Sequence, residues 1–210
     1  PLEMWHETNA QKDGTIRRET RFPETPDELI LSGPHFFVGN PLSKTPRYSC
    51  KLSSDYDTLD LNSLPDDCLP RTNYVPDCNP IEYHNRTSVV PWNHEKKVTE
   101  FYRVIARTML SQSGERTLTQ AILPKQAGCI DNVFSLTFRH TKDLLAVASG
   151  FSSIPFDFWV KTTVKGHFRN ELAGYLQSIQ VSQPLSIRTL ALNCLTTHYA
   201  ELWSECWDEG

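Results

Sequence analysis

The order of apolar and polar residues predicts two short strands in the second half of the chain. Leu118 and the apolar run 121–123 are rich in branched side chains and are followed directly by Pro124, which is typical of a short buried strand. Residues 133–138 suggest a second strand.

Helical spacing follows the second of these strands. Apolar side chains recur over residues 144–148, and Gly150, Ser152 and Ser153 interrupt the pattern. A new apolar face then runs over residues 154–160. Because glycine and serine favour breaks in helices, we expect an amphipathic helix that is broken near Gly150.

Two longer stretches also show the spacing of an amphipathic helix. In residues 98–109 the apolar side chains recur at three- and four-residue intervals, with Glu100, Arg103 and Arg107 on the other side. In residues 187–206 an apolar stripe would need a partner to be buried. We therefore predict one helix before the strand at 118–123 and one helix near the end of the chain.

The first half of the chain predicts short strands and loops. Residues 29–31 and 35–39 flank a Gly-Pro pair and suggest strand, turn and strand, and residues 58–61 suggest a further strand. Prolines and aspartates recur over residues 53–91, which forbids long helices. The whole pattern predicts an α+β fold: a mixed strand and loop domain over 1–184 with amphipathic helices, followed by a helical extension over 185–210.

Composition narrows the classes of function. The chain of 210 residues is long enough to bury a core, and its 22% charged and 39% hydrophobic residues are ordinary for a globular protein. The net charge of −4 argues against a protein that coats nucleic acid without sequence preference, although it allows a local basic face. No apolar run approaches the ~18 residues of a membrane span, so we expect a cytoplasmic protein without a membrane partner.

The six cysteines show no spacing that is typical of a metal site. They form no C-x-x-C pair and no close cysteine and histidine cluster, which structural zinc sites require. We expect free thiols and no bound metal.

A basic loop at 161–170 is the strongest candidate for a binding element. Glycine at position 166 permits close approach of the backbone to a partner, and cations and an amide surround it. These groups suit a phosphate backbone or a base edge, whereas a solvated loop that caps the next helix is the alternative. The candidate side chains are Lys161, Lys165, His167, Arg169 and Asn170.

Further candidate DNA contacts lie in the first half of the chain. Lys44 and Arg47 flank prolines and a tyrosine in a loop that could lie along DNA, with an exposed turn as the alternative. Arg71 and Asn73 carry side chains of the kind that read base edges. The alternative places this stretch in the core, because Tyr74 next to it is followed by an apolar residue and a proline.

Several motifs in this order resemble one family of DNA-modifying enzymes. They are LILSGPHFFVGNPLSKTP at 29–46, LPRTNYVP at 69–76, RTLTQAILP at 116–124 and LLAVASGFSSIPFDFWV at 144–160, followed by the basic loop. Over residues 14–207 the chain is similar to the C-terminal, TaqI-like target-recognition region of adenine-specific DNA methyltransferases. The likeness is greatest to the large single-chain enzymes of type IIG restriction-modification and phage defence.

The resemblance implies a recognition module that binds double-stranded DNA. It places Arg116 on the side that faces DNA, although an internal salt bridge is the alternative for this residue. The Asn-Pro-Pro-Tyr tetrapeptide and the glycine-rich loop of such methyltransferases do not occur in the sequence, and Asn40-Pro41-Leu42 is a poor match. We therefore expect no catalytic residue in this chain. S-adenosylmethionine and the flipped adenine would bind to an upstream methyltransferase domain of the parent enzyme.

Two other functions have some support in the sequence. Asp77, Glu95 and Lys97 imitate the two carboxylates and one lysine of metal-dependent nucleases, although Asp77 lies in sequence that is typical of a loop. The acidic balance of the chain would also suit a protein-interaction domain that does not bind nucleic acid. Sensitivity of DNA binding to salt separates these alternatives.

Overall fold

The computed structural model describes residues 4–176 and 179–207. It confirms the α+β class, because short helices accompany several small sheets. The helices are α1 (Glu7–Lys12), α2 (Pro80–Arg86), α3 (Thr141–Ser152), α4 (Ile154–Thr162), α5 (Asn170–Tyr175), α6 (Gln183–Asn193) and α7 (Ala200–Cys206). The strands are β1 (Ile16–Arg21), β2 (Ile30–Leu31), β3 (Lys44–Pro46), β4 (Tyr56–Thr58), β5 (Thr72–Pro76), β6 (Val89–Val90), β7 (Asn93–Lys97), β8 (Arg103–Arg107), β9 (Gln120–Leu123), β10 (Gly128–Cys129) and β11 (Val133–Thr137).

An antiparallel sheet in the order β11-β8-β9 lies at the centre of the fold. Ile105 of β8 lies opposite Ala121 of β9 and Ser135 of β11. The two strands expected over 118–123 and 133–138 are thus confirmed as β9 and β11, and β9 ends directly before Pro124. Proline stops the strand there because it lacks the N–H that the ladder needs.

The helix predicted over 98–109 is wrong. A 3-10 turn at Val98–Glu100 leads into β8, whose side chains alternate between two cores. Val104 and Ala106 join the core under the helices, whereas Ile105 joins the core on the other face of the sheet. Because a strand buried on both faces is apolar without a break, its sequence cannot be told from that of a buried helix by periodicity.

Helices cover one face of the central sheet. Helix α3 contacts β8, β9, α6 and α7, and its break from α4 falls at Ser153, as the sequence predicts. The core between these helices and the sheet includes Val104, Leu118, Ile122, Phe134, Leu144, Leu145, Phe151, Val160, Phe168, Leu190 and Leu202.

The first half of the chain covers the other face of the sheet. Here β1 pairs with β5, β3 with β4 and β6 with β7, all antiparallel, and β2 runs parallel to β10. Glycine at position 128 of β10 leaves room for the Tyr83 hydroxyl, because a Cβ atom there would lie 3.0 Å from it. The strand predicted at 35–39 is wrong, since His35 ends a 3-10 turn at Gly33–His35. The strand predicted at 58–61 lies earlier, at Tyr56–Thr58.

The single helix predicted over 187–206 is also wrong, because the chain forms two helices, α6 and α7. Residues at the break between them form hydrogen bonds to the edge of β9. The side-chain oxygen of Asn193 accepts a hydrogen bond from the Ile122 N–H at 2.8 Å, and the Tyr199 hydroxyl donates to the Ile122 carbonyl at 2.7 Å. Both main-chain groups of one buried residue are therefore satisfied from this segment.

Leu195 lies between α6 and α7 with 38% of its surface exposed, whereas Leu190 is fully buried. We expect Leu195→Asp to lower the free energy of unfolding by less than about 1 kcal/mol, because the carboxylate stays hydrated. Leu190→Ala is the matched control and should cost about 2 kcal/mol or more. Urea unfolding measures both, and an equal loss for the two variants would contradict the difference in burial.

All six cysteines carry free thiols, as expected from the sequence. Within residues 4–176 and 179–207, no helix combines the length and apolar character that crossing a membrane requires.

Candidate nucleic-acid interface

An open cavity of about 280 Å³ lies between the end of β8 and the loops of the first half. Its charged residues are Lys44, from the start of β3, and Arg107, from the end of β8. The complete lining consists of Gly33, Pro34, Lys44, Ser53, Arg107, Met109 and Asn132.

A second cavity of about 180 Å³ adjoins the first and shares Pro34, Ser53 and Asn132 with it. It adds two cations, Arg18 and Lys51, and one carboxylate, Glu7. The Glu7 carboxylate accepts a hydrogen bond from the Tyr74 hydroxyl at 2.6 Å. We call the two cavities together the cationic groove, because four cations face one carboxylate in it.

Arg107 is held rigidly at the wall of the groove. Its Nε donates to the Gly33 carbonyl at 2.7 Å and its Nη2 to the Phe36 carbonyl, and its guanidinium carbon lies 5.7 Å from the centre of the Phe36 ring. Burial lowers the pKa of Arg107 from its ordinary value. The sequence analysis missed this residue, because it placed Arg107 on the solvent face of a helix instead of at the end of a strand.

The two arginines of the groove bind main-chain carbonyls. Arg18 donates to the Cys50 and Lys51 carbonyls at 3.2 and 3.3 Å, and Arg107 likewise donates to carbonyls. Carboxylates pair with five arginines outside the groove: Arg17, Arg21, Arg47, Arg86 and Arg116. Within residues 4–176 and 179–207, none of the four groove cations forms an ion pair with a carboxylate, so the groove is locally positive although the chain has a net charge of −4.

Of the two candidates near β3, Lys44 lies in the cationic groove. Arg47 is exposed, and its Nε lies 2.8 Å from the Asp57 carboxylate. This ion pair competes with any phosphate for the guanidinium, so Arg47 is the weaker candidate of the two.

Asn73 is only 5% exposed, and its amide is used inside the protein. The oxygen accepts a hydrogen bond from the Thr20 hydroxyl at 2.7 Å, and the nitrogen donates to the Tyr56 hydroxyl at 2.9 Å. This burial favours the alternative of a core position, although Asn73 also lines the second cavity of the groove, and its contact with DNA stays a prediction. Arg71, two residues before it, reaches the surface beside two aromatic rings.

Arg116 has the internal role that was its alternative. Its Nε lies 3.4 Å from the Asp157 carboxylate, with both side chains largely buried, and its Nη2 donates to the Ser152 carbonyl at 2.9 Å. The guanidinium thus ties the chain before β9 to the helices, and the contact between Arg116 and DNA stays a prediction.

The basic loop lies against the end of β8. The Phe168 N–H donates to the Thr108 carbonyl at 2.7 Å, the Leu110 N–H donates to the Gly166 carbonyl at 3.0 Å, and Met109 forms a β-bridge with His167. Because Met109 also lines the cationic groove, the loop and the groove form one continuous surface.

The candidates of the basic loop differ in how they are held. Lys161 donates to the Gly114 carbonyl at 3.3 Å, and Lys165 lies 2.8 Å from the Glu171 carboxylate. His167 and Arg169 are exposed, as is Asn170, which begins α5. The buried Phe168 anchors the loop, because its ring packs edge-to-face against Phe134 and Phe151.

Several apolar side chains near the loop are exposed. Ile154 and Phe158 on α4 are 75% and 66% exposed, and Tyr175 on α5 is 65% exposed, near Trp159. The sequence predicts an apolar face here, but only part of that face enters the core. Exposed apolar groups that lie close together are typical of protein contacts.

The nuclease arrangement does not form. Asp77 pairs with Arg17 at 3.1 Å, and the Lys97 ammonium donates to the carbonyls of Asn85 and Thr87 at 3.0 and 2.8 Å. In the part of the chain that the structure describes, no group of three or more metal-binding side chains is close enough to hold an ion.

No protein-family model, curated protein or solved structure matches this chain. The resemblance to target-recognition regions thus stays a prediction from the quoted motifs. Function has to be inferred from the chemistry of the described surfaces.

Proposed function

We propose that this chain recognises double-stranded DNA, as the target-recognition module of an adenine-specific DNA methyltransferase. One observation carries the proposal. Lys44 and Arg107 come from distant parts of the sequence, yet they line one groove that continues into the basic loop. None of the four groove cations forms an ion pair with a carboxylate in the part of the chain that the structure describes, so an anionic partner is attracted to this surface.

The surface offers the two kinds of contact that DNA recognition uses. Lys44 and Lys51 in the groove and Arg169 in the loop would bind phosphates, which fix the position of the protein without reading sequence. His167 and Asn170 are shorter, exposed and able to donate and accept hydrogen bonds, so they are the candidates for base edges. The net charge of −4 limits attraction to this face and favours specific over general binding.

The groove does not fit S-adenosylmethionine, because four cations on its walls would repel the positive sulfonium of that cofactor. No step of methyl transfer is therefore assigned to this chain. The proposal places the cofactor and the flipped adenine in a methyltransferase domain upstream in the parent enzyme. A cytoplasmic location follows from the same proposal.

Binding of the chain to random-sequence duplex DNA, measured by fluorescence anisotropy at several salt concentrations, tests the proposal. Lys44→Ala should raise the Kd about 3- to 10-fold at low salt and reduce the slope of log Kd against log salt by about 1. Lys142→Ala is the matched control: Lys142 is exposed and follows β11 at the other end of the central sheet from Arg107. Equal behaviour of both variants and the wild type would refute a DNA contact at the groove.

A protein-interaction domain is the second candidate function. The exposed Ile154 and Phe158 on α4 favour it, because apolar surface gains stability when a partner covers it. Such binding would persist at high salt and would be lost in Phe158→Ser. Loss of DNA binding at high salt, with no effect of Phe158→Ser, would favour the DNA-binding proposal.

A further inference from the structure

Arg71 lies at the surface against two aromatic side chains. Its guanidinium carbon is 5.1 Å from the centre of the Phe22 ring and 4.8 Å from the centre of the Tyr48 ring. These rings are 52% and 71% exposed, which is unusual for aromatic groups of their size. We call the three side chains the arginine–aromatic cluster.

The main chain fixes the orientation of Arg71 in this cluster. Its Nε donates to the Pro46 carbonyl at 2.7 Å, and its main-chain N–H donates to the Thr45 hydroxyl at 3.0 Å. One edge of the guanidinium is thereby held, and both rings lie close to the guanidinium carbon. A planar group held in this way loses little further freedom when it binds.

Arg71 also keeps its charge and its terminal donors. Its polar contacts are to a carbonyl and a hydroxyl, unlike the nearby Arg47, which pairs with Asp57. Among residues 4–176 and 179–207, the two terminal nitrogens of Arg71 have no hydrogen-bond partner. They point to a ligand with two acceptors side by side.

We propose that Arg71 reads a guanine of the recognised DNA site through the major groove, an inference that rests on the proposed function. With Nε already used, Nη1 and Nη2 remain as a two-pronged donor. Guanine alone among the bases presents two neighbouring acceptors, O6 and N7, in the major groove, whereas adenine presents one acceptor beside a donor.

A phosphate could also accept from both nitrogens, but it does not require one particular orientation of the guanidinium plane. A base edge requires that this plane be aligned with the base pair, because O6 and N7 lie in the plane of the base pair. The two rings and the Pro46 carbonyl supply that restraint. Arg71 also bonds to β3, the strand whose first residue, Lys44, lines the cationic groove.

The test selects duplexes that bind the wild-type chain from a random pool and then repeats the selection with variants. The wild type should enrich a site that contains guanine at one fixed position. Arg71→Ala and Arg71→Gln should lose the preference at that position alone and bind the selected site about 10-fold or more weakly. Lys142→Ala should enrich the same site as the wild type, and thermal melting of each variant checks that it folds.

A duplex in which 7-deazaguanine replaces that guanine adds a chemical test. This base lacks the N7 acceptor, so the wild type should bind it several-fold more weakly, whereas Arg71→Ala should bind both duplexes equally. If Arg71→Ala keeps the base preference but loses about one unit of salt slope, Arg71 contacts a phosphate and this inference alone is overturned. If the wild type enriches no site, the proposed function fails as well.

Discussion

Replacement of Asp157 by alanine should lower the free energy of unfolding by about 3 to 5 kcal/mol, as expected when one partner of a buried ion pair is removed. Oδ1 of this residue accepts hydrogen bonds from the N–H groups of Thr117 and Leu118 at 2.8 and 2.6 Å, and Oδ2 lies 3.4 Å from Nε of Arg116. Alanine would leave two buried N–H groups without their acceptor and the largely buried Arg116 guanidinium without its counter-charge.

Asp157→Asn is the matched control, because its amide oxygen can still accept from one or both N–H groups while the charge is lost. It should cost less than the alanine variant. Urea unfolding followed by circular dichroism gives both values. A loss below about 1 kcal/mol for Asp157→Ala would mean that the segment before β9 holds its place without this carboxylate.

Acidification from pH 7 to pH 4 should destabilise the protein by about 3 kcal/mol through His35 alone. The imidazole is fully buried, and burial lowers the pKa of His35 from 6.5 to about 4. Its Nε2 donates to the Arg71 carbonyl at 2.9 Å, and its Nδ1 accepts from the Ser32 N–H at 3.0 Å, so the neutral ring is the form that fits.

The sign of the effect follows from which state takes up the proton. The unfolded chain protonates this histidine near pH 6.5, whereas the folded chain does so only near pH 4. The unfolded state therefore binds more protons between these values, and stability falls as the pH falls through that window. About 2 kcal/mol of the loss should occur between pH 7 and pH 5.

Urea unfolding at pH 7 and pH 5 measures this effect, since carboxylates contribute mainly at lower pH. In His35→Gln the difference in the free energy of unfolding between pH 7 and pH 5 should shrink by about 2 kcal/mol. Should that variant fail to fold, NMR titration of the wild-type imidazole decides the matter. A midpoint near 6.5 for His35 would contradict its neutral, buried state.

Local sequence was sufficient for elements whose ends are set by local chemistry. Pro124 stops β9, and Ser153 separates α3 from α4, because its hydroxyl accepts a hydrogen bond from the Phe156 N–H at 3.4 Å. Serine is a preferred residue at the start of a helix, and the break was predicted from the Gly and Ser residues near position 150. The basic loop was also recognisable from its residues alone.

Elements decided by distant contacts were not predictable in this way. β8 has apolar residues on both faces because a different core lies on each side, and no local pattern reveals that second core. The break between α6 and α7 likewise depends on Ile122, whose main-chain groups bind Asn193 and Tyr199.

The candidate site shows the same limit. Residue type identified the cations, but it placed Lys44 and Lys161 in loops instead of in β3 and α4, and it could not show which cations pair with carboxylates. Arg116 and Lys44 are both cationic, but their tertiary surroundings differ. Asp157 binds Arg116, whereas Lys44 lines an open cavity. Arg107 was missed because its place at the wall of the groove follows from the strand that precedes it.

The parallel pairing of β2 with β10 orders events during synthesis of the protein. Ile30 lies opposite Gly128, and Trp5 forms a bridge with Ile130, so β2 and Trp5 lack these partners until the ribosome has added roughly 100 further residues, which takes about 5 to 20 s. In that interval the side chains of Ile30 and Leu31, both buried in the finished fold, remain open to chaperones or to other nascent chains. A chain that stops before Gly128 should therefore aggregate, although all its own short strands are present.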